Sequence, residues 1–444
     1  MGEEIFILEE LFQFWTFSDP ASTWVLLGSV LLGATAGVAG CFTFLQKKSL
    51  IGDVLAHSAL PGVTTAFLLF HSRGPLVIYL GAISSCLFAA FVFGFLQKKT
   101  RIKQDAIQAI ILSVFFAVGV FQLTMIQKSP IAAQAGLENL LFGKAAAITL
   151  ADLKVLSLVS ILCLAFIFCF FQKLKILVFD PVYYNARGLG QSWLSAGLWL
   201  VLVVTIVTGL QLAGVVLVAA LVLIPPAAAR FWSKSLDRML PLSALFGAVS
   251  GALGANVSFL IPAMPTGPWM VVIASMIFAV SCLFAPGNGF VSRYLGRKKL
   301  RRSIREENFL RTVFRLGGEV TEQLPLISSE QVAEIRGYDS SLAKSLMSSL
   351  GGQRMLSVEG SSCTLTEKGL ERALELTRFH RLWELYLTEE ISAAADHVHE
   401  DAEEVEHVMD AEIEKGLLES LKQPQLDPHG KPIPELKAGK NNDD

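Results

Sequence analysis

Long apolar runs alternate with short polar loops over the first 290 residues, and this alternation predicts a bundle of membrane-spanning helices. Each run has close to the ~20 residues that an α-helix needs to cross a bilayer core. The nine predicted spans have approximate limits 23–45, 54–72, 75–96, 106–127, 151–171, 192–210, 213–229, 240–262 and 268–286. The less apolar stretch 131–149 is predicted to be a surface or re-entrant piece.

From Glu306 onward the periodicity changes to that of soluble amphipathic helices. Three helices are predicted, and the apolar stripe of the third consists of Leu342, Leu346 and Leu350. A hairpin around Gly360 follows. Three helices and then a hairpin is the order of a winged helix-turn-helix. The predicted fold is an all-α polytopic membrane domain, then a winged helix-turn-helix, then a helical domain.

Composition supports two bodies that face different solvents. The chain has 444 residues, of which 52% are hydrophobic, too many for an ordinary soluble protein. Residues 305–444 contain 15 Lys and Arg against 28 Asp and Glu, whereas residues 1–304 contain 22 against 11. The predicted boundaries are 1–290 for the membrane part, 291–305 for a basic linker, 306–370 for the winged helix, 371–436 for the last domain and 437–444 for a disordered tail.

Basic residues in alternate loops predict the orientation of the bundle. The basic loops contain Lys47 and Lys48, Lys98 to Lys103, Lys173 to Arg187, and Arg230 to Arg238. Placing these loops in the cytoplasm puts the N-terminus outside and the acidic half inside the cell. That arrangement requires an odd number of spans, and nine satisfies it.

Asp53 and His57 stand out at the start of the second span. Four residues apart, they project from one helix face, and each is costly in lipid. A carboxylate with an imidazole suits a divalent manganese, iron or zinc ion. The alternative is a polar cap at the water interface, because Gly52 and Asp53 are good residues for a helix start.

The segment around this pair reads Gly-Asp-x-Leu-x-His-x-x-Leu-Pro-Gly from Gly52 to Gly62. It resembles the signature of the ABC-3 permease subunits of bacterial importers for manganese, zinc and iron, and the resemblance covers roughly residues 20–290. It implies that Asp53 and His57 hold the metal in the translocation path at the inner membrane. It also implies an ATPase subunit, a second permease subunit or second copy, and a periplasmic or surface metal-binding protein as partners.

The loop after the fifth span resembles the segment with which these permeases dock on the ATPase. The docking residues that the resemblance implies are Asp180, Pro181, Arg187 and Gly188. An ordinary amphipathic loop is the alternative. The sequence contains no GxxxxGK[ST] phosphate loop, so we expect ATP hydrolysis on a separate subunit and no enzyme activity in this chain.

The basic stretch 293–305 follows the last span directly. It is interpreted as an anchor on anionic lipid, with a DNA-contacting arm or a protease-sensitive hinge as alternatives. Cleavage there would free the soluble half, and an antibody against the C-terminus would then detect a shorter band than the full chain.

The winged helix offers a polar surface for DNA. Its candidate residues are Arg336, Ser340, Ser341, Lys344 and Ser345. The acidic net charge of this half weakens the DNA assignment, so a protein-interaction winged helix fits the pattern equally well.

Five of the seven histidines lie beyond residue 379, among carboxylates at helical spacing. His380 pairs with Glu384 on one helix, and the second helix contributes His399, Glu403, Glu406 and His407. This clustering is compatible with a divalent metal site. An acidic solvated helix with incidental histidines is the alternative.

Residues 306–434 also resemble the diphtheria-toxin-repressor family of metal-dependent regulators, through Leu365 to Gly369, the His380 stretch, His399 to Met409, and Asp427 to Pro434. The resemblance implies that the six clustered residues are metal ligands. Glu403 stands where iron-selective members usually have cysteine, which indicates manganese as co-repressor, with iron or zinc possible. Asn308 occupies the position of a further ligand, where the family usually has aspartate or methionine, and Arg311 stands where the manganese branch has an acid.

The sequence therefore predicts a metal-importing permease fused to a metal-dependent DNA-binding repressor. The alternative is a permease whose attached domain is a cytoplasmic metal-sensing gate that binds no DNA.

Overall fold

The computed structural model describes residues 14–48, 50–71, 74–128, 148–186, 191–261, 264–319, 325–389 and 411–434. The chain divides into two compact units, Met1–Arg293 and Tyr294–Asp444. Most of the predicted surface piece 131–149 and all of the predicted tail 437–444 lie outside the described residues.

The described part of the first unit is helical. Its helices are α1 (Pro20–Leu45), α2 (Ile51–Phe70), α3 (Pro75–Lys99), α4 (Gln104–Gln127), α5 (Leu150–Cys169), α6 (Phe171–Phe179), α7 (Pro181–Ala186), α8 (Gln191–Ala213), α9 (Val215–Trp232), α10 (Leu236–Leu260) and α11 (Thr266–Phe284). Eight of the described helices are long and apolar enough to cross a membrane, and α9 supplies a shorter apolar helix, Leu217–Trp232. Each of the nine predicted spans corresponds to one of these helices.

Helices α1 and α10 cross with their backbones nearly in contact. A Cβ atom on Gly33 would lie 2.1 Å from the carbonyl oxygen of Gly247, and one on Gly247 would lie 2.0 Å from that of Gly33. Nearby, Ser243 Oγ donates a hydrogen bond to the Gly37 carbonyl at 2.8 Å. Lipid gives no hydrophobic drive for helices to associate, so close packing and such hydrogen bonds hold the pair together.

The second unit is a winged helix extended by two helices. Its elements are α12 (Phe290–Leu316), β1 (Ile327–Ser328), α13 (Ser329–Arg336), α14 (Ser340–Gly352), β2 (Leu356–Glu359), β3 (Ser362–Leu365), α15 (Glu367–Glu389) and α16 (Ala411–Ser420). The strands form an antiparallel sheet in the order β1-β3-β2. Gly360 turns the hairpin with φ of 64°, and Leu346 and Leu350 of the predicted stripe are buried. The predicted order of elements is confirmed.

The predicted basic linker 291–305 is helical and forms the first half of α12. Its arginines, lysines and leucines are good helix formers, and Gly296 is the residue in this range that disfavours a helix most. A protease would have to unwind this helix before cutting it, because nicking concentrates at exposed loop tips.

Candidate metal sites and docking surfaces

Asp53 and His57 lie on the first two turns of α2. Their four-residue spacing places them on the same helix face, and both side chains are half-buried. The positive end of the helix dipole favours the carboxylate of Asp53 in the first turn. The predicted pair therefore shares one face, with part of each side chain accessible.

One nitrogen of the His57 ring has no protein partner. Its Nδ1 atom is buried and makes no hydrogen bond within the part of the chain that the structure describes. The ring packs edge-on against Phe116, with centroids 4.9 Å apart. A buried polar atom without a partner costs about 1–3 kcal/mol. A cation bound to this nitrogen would remove that cost.

Pro61 changes the backbone of α2 one turn beyond His57. Proline has no N–H, so Pro61 cannot donate to the carbonyl oxygen of His57, its usual helical acceptor four residues earlier. Carbonyl and carboxylate oxygens suit manganese, and imidazole suits iron and zinc. The face of α2 at His57 therefore offers a carboxylate and an imidazole, beside a carbonyl that lacks its usual helical donor.

A second polar cluster lies about two turns further along α2. Thr64 Oγ1 donates to Gln122 Oε1 on α4 at 2.6 Å, and Gln122 Nε2 donates to Thr65 Oγ1 at 3.0 Å. Gln108 lies on a similar face of α4, and both polar atoms of its amide are buried without a partner among the described residues. Sequence reasoning missed these glutamines, although polar residues at helical spacing in an apolar span were the available signal.

Helix α7 contains the described part of the predicted docking segment. Pro181 begins the helix, and Asp180 Oδ1 accepts a hydrogen bond from the Tyr183 N–H at 2.8 Å. Tyr184 is fully buried, whereas Val182 is 77% exposed. The helix is thus anchored on one side and presents apolar surface on the other. Arg187 and Gly188 lie outside the described residues.

Helix α14 presents the predicted DNA surface to solvent. Its exposed residues include Ser340, Ser341, Lys344 and Ser345. Asp339 caps the helix, and hydrogen bonds from the side chain and backbone of Ser341 lower the pKa of Asp339. Arg336 is half-buried, and its Nε atom donates to Thr312 Oγ1 at 2.6 Å, which ties α13 to α12. This contact gives Arg336 a packing role that the sequence analysis did not anticipate.

Glu306 fixes the far end of α14 and was not singled out from the sequence. Its carboxylate accepts from Ser349 Oγ at 2.7 Å and from Gln353 Nε2 at 2.9 Å. Burial alone would raise the pKa of Glu306, yet hydrogen bonds from Ser349, Gln353 and Arg302 hold it below its ordinary value. The partners lie 43 and 47 residues away in sequence, so no local pattern predicts the contact.

His380 and Glu384 lie one turn apart on α15, and they are only 6% and 3% exposed. His380 Nε2 is 3.0 Å from Glu384 Oε1. His380 Nδ1 is 2.7 Å from Nη1 of Arg311 on α12, which is also buried. A guanidinium group can only donate, so Nδ1 accepts, and Nε2 carries the proton that faces Glu384.

The other predicted ligands of this half, His399, Glu403, Glu406 and His407, lie outside the described residues. Across the described ranges, no three His, Cys, Asp or Glu side chains are grouped to hold a metal ion. Asn308 Oδ1 is buried and has no hydrogen-bond partner in these ranges. Among the described residues, Asn308 thus leaves one amide oxygen open to a further partner, whereas Arg311 already contacts the Nδ1 nitrogen of His380.

A bundle of membrane-length helices followed by a winged helix is the architecture of a membrane permease with a regulator-type domain. Residues 18–285 match the ABC 3 transport family, and residues 366–435 match the iron dependent repressor, metal binding and dimerisation domain. The chain belongs to the ABC 3 transport family.

Known proteins share both halves. The chain is 33% identical over 377 residues to the manganese transport system membrane protein MntC of Bacillus subtilis, which covers 84% of this chain and 86% of the relative. It is 28% identical over 439 residues to a probable metal transport system membrane protein of Chlamydia trachomatis, with 94% and 97% covered. The solved structure of PsaBC from Streptococcus pneumoniae in complex with Fab has 30% identity and a TM-score of 0.53, and the match covers 62% of this chain and 94% of that one.

These matches confirm both resemblances drawn from the sequence. The protein is a metal-transport permease subunit of the membrane. It carries a domain of the iron-dependent-repressor type at its C-terminal side.

Proposed function

We propose that the first unit carries a manganese, iron or zinc ion inward across the bacterial inner membrane, with Asp53 and His57 as its ligands in the path. The observation that carries this proposal is the buried His57 Nδ1 atom, which has no partner among the described residues and lies one turn from a carboxylate. The manganese relative in B. subtilis supports the class of ion. Initial rates of manganese, iron and zinc uptake by cells with Asp53→Ala or His57→Ala test this proposal.

The partners follow from this role. A separate ATPase subunit supplies the energy, a second permease subunit or a second copy of the chain completes the path, and a metal-binding protein delivers the ion from outside. The basic loops support an N-terminus outside the cell and a cytoplasmic second unit. Helix α7, with its exposed Val182, is the docking surface for the ATPase.

Val182→Glu should release the ATPase subunit without unfolding the permease. A charge placed at the centre of an apolar contact is desolvated without a partner, which costs several kcal/mol at an interface. The measurement is co-purification of the ATPase from detergent-solubilised membranes, with Val182→Ala as the matched control that stays apolar. If the glutamate variant retained the ATPase fully, α7 would not be part of the interface with the ATPase.

We propose that the second unit is a metal-dependent repressor that lays the exposed face of α14 on its DNA operator. Lys344 and the neighbouring serines supply phosphate and base-edge contacts, and Glu306 holds the other end of the helix in position. A divalent cation acts as co-repressor through Asn308 and the ligands expected at 399–407. The carboxylate of Glu403 favours manganese, with iron or zinc as alternatives.

Lys344→Ala should weaken manganese-dependent binding to the promoter DNA of the transporter's own genes by roughly tenfold, which is about 1.4 kcal/mol. A lost phosphate contact also lowers the slope of log affinity against log salt by about one. A mobility-shift assay with the full chain in detergent measures both quantities. Lys415→Ala removes an exposed lysine from α16, away from the proposed DNA face, and is the matched control.

The gate alternative gives a different result in the same assay. It predicts no shift with manganese and faster transport after deletion of residues 306–434. A metal-dependent shift that Lys344→Ala weakens and Lys415→Ala does not would contradict it.

A further inference from the structure

The guanidinium group of Arg311 lies beside His380, one of the predicted metal ligands of the second unit. Arg311 Nη1 lies 2.7 Å from His380 Nδ1, and His380 Nε2 lies 3.0 Å from Glu384 Oε1. Arg311, His380 and Glu384 are each no more than 6% exposed. Arginine does not lose its proton in proteins, so this is a permanent cation within a buried site.

The chemistry of this contact competes with metal binding. A metal ion binds imidazole through a nitrogen lone pair, and the lone pair of Nδ1 accepts the hydrogen bond from Arg311. The other nitrogen carries the proton that faces Glu384. A metal ion on either nitrogen would have to displace one of these contacts, and would meet the like charge of Arg311 at short range.

Arg311 also compensates the buried negative charge of Glu384, which a bound metal ion would otherwise do. A buried carboxylate is costly unless a cation or hydrogen bonds compensate it. The Arg311 guanidinium supplies that cation through the polarised imidazole between them.

Two other carboxylates near His380 and Glu384 also contact an arginine, and they line the same cavity. This cavity, of about 310 Å³, is lined by Arg311, His380 and Glu384 together with Arg381, Asp427 and Glu319. Arg381 Nη2 contacts Glu319 Oε2 at 2.5 Å, and Arg381 Nε lies 3.4 Å from Asp427 Oδ2. An entering metal cation would therefore find both of these carboxylates already shared with an arginine.

We propose that Arg311 is a built-in cation that takes the place of a metal ion at His380 and Glu384, so that the sensor binds its regulatory ion only on the Asn308 side. The contact between Arg311 on α12 and His380 on α15 is then present with and without metal. Only the site at Asn308 responds to the metal ion. The inference depends on the proposed co-repressor function in one respect only, the existence of a metal site at Asn308.

The test counts manganese ions bound per chain. The full chain is purified in detergent with Asp53→Ala and His57→Ala in every variant, which removes the transport ligands from the count. Equilibrium dialysis against manganese, followed by elemental analysis, should give one additional ion per chain for Arg311→Glu. Arg311→Lys keeps the positive charge and a donor for Nδ1, so it should give no additional ion. Arg301→Glu adds the same carboxylate to the same helix at an exposed position outside this cavity and should also give none.

Two further measurements separate the possible outcomes. His380→Gln added to Arg311→Glu should abolish the additional ion, and manganese should raise the Tm of Arg311→Glu more than that of the parent. If Arg311→Glu does not fold, Arg311→Gln removes the charge without adding one and is counted instead. An unchanged count in a folded variant overturns the inference. A parent that binds no ion beside a variant that binds one supports the inference and overturns the co-repressor function.

Discussion

Alanine at Asp53 or His57 should lower metal uptake at least about tenfold, because each variant removes one of the two side-chain ligands proposed for the path and tenfold corresponds to about 1.4 kcal/mol of lost transition-state binding. His57→Ala also removes the buried Nδ1 atom. The measurement is the initial rate of uptake of radioactive manganese, iron and zinc by cells that express the complete transporter and no other importer.

The controls for this experiment lie on the same helix. Ser58 is fully buried, and its hydroxyl donates to the Val54 carbonyl at 2.6 Å, so Ser58→Ala disturbs α2 without touching the proposed ligands. Asp53→Glu keeps a carboxylate and should retain more uptake than Asp53→Ala. If both alanine variants took up all three ions at the parental rate, Asp53 and His57 would not be ligands in the translocation path.

Gly33→Ala and Gly247→Ala should each sharply lower the amount of folded protein in the membrane. The added Cβ would lie 2.1 Å or 2.0 Å from the opposing carbonyl oxygen, so α1 and α10 would have to separate. Overpacking of this kind costs about 1–3 kcal/mol, and here the obstacle is backbone, which cannot rotate away. Immunoblots of membranes and thermal unfolding in detergent measure the loss.

Gly94→Ala is the matched control for the glycine variants. A Cβ atom at this position on α3 has nothing within 4 Å. Alanine in a helix interior is about 0.5–1 kcal/mol more favourable than glycine, so this variant should be neutral or slightly stabilising. Equal accumulation of the Gly33, Gly247 and Gly94 variants would mean that α1 and α10 do not cross at the described distance.

Local pattern was sufficient for much of this fold. Apolar runs long enough to span a bilayer predicted the helices of the first unit, and the periodicity change at Glu306 predicted the winged helix with its hairpin at Gly360. The pairing of Asp53 with His57 was readable for the same reason, because a spacing of four fixes a common face once the segment is helical.

Contacts between segments distant in sequence were not readable. The Nε atom of Arg336 donates to Thr312 Oγ1, which lies 24 residues earlier in the chain, and the charge of Arg336 by itself does not reveal this partner. Gln122 and Thr64 meet across two spans, and no pattern within one span reveals the partner.

The sequence by itself determined the membrane bundle, the regulator-type domain and the candidate metal ligands, because helical periodicity, hydrophobic length and side-chain chemistry are local properties. Only the tertiary structure decided which of those residues are accessible to an ion. Arg311 and His380 are 69 residues apart in sequence, and only the packing of α12 on α15 brings the guanidinium to the ring nitrogen. Such a contact depends on long-range packing, in which a cation of the chain itself can occupy the position of a metal.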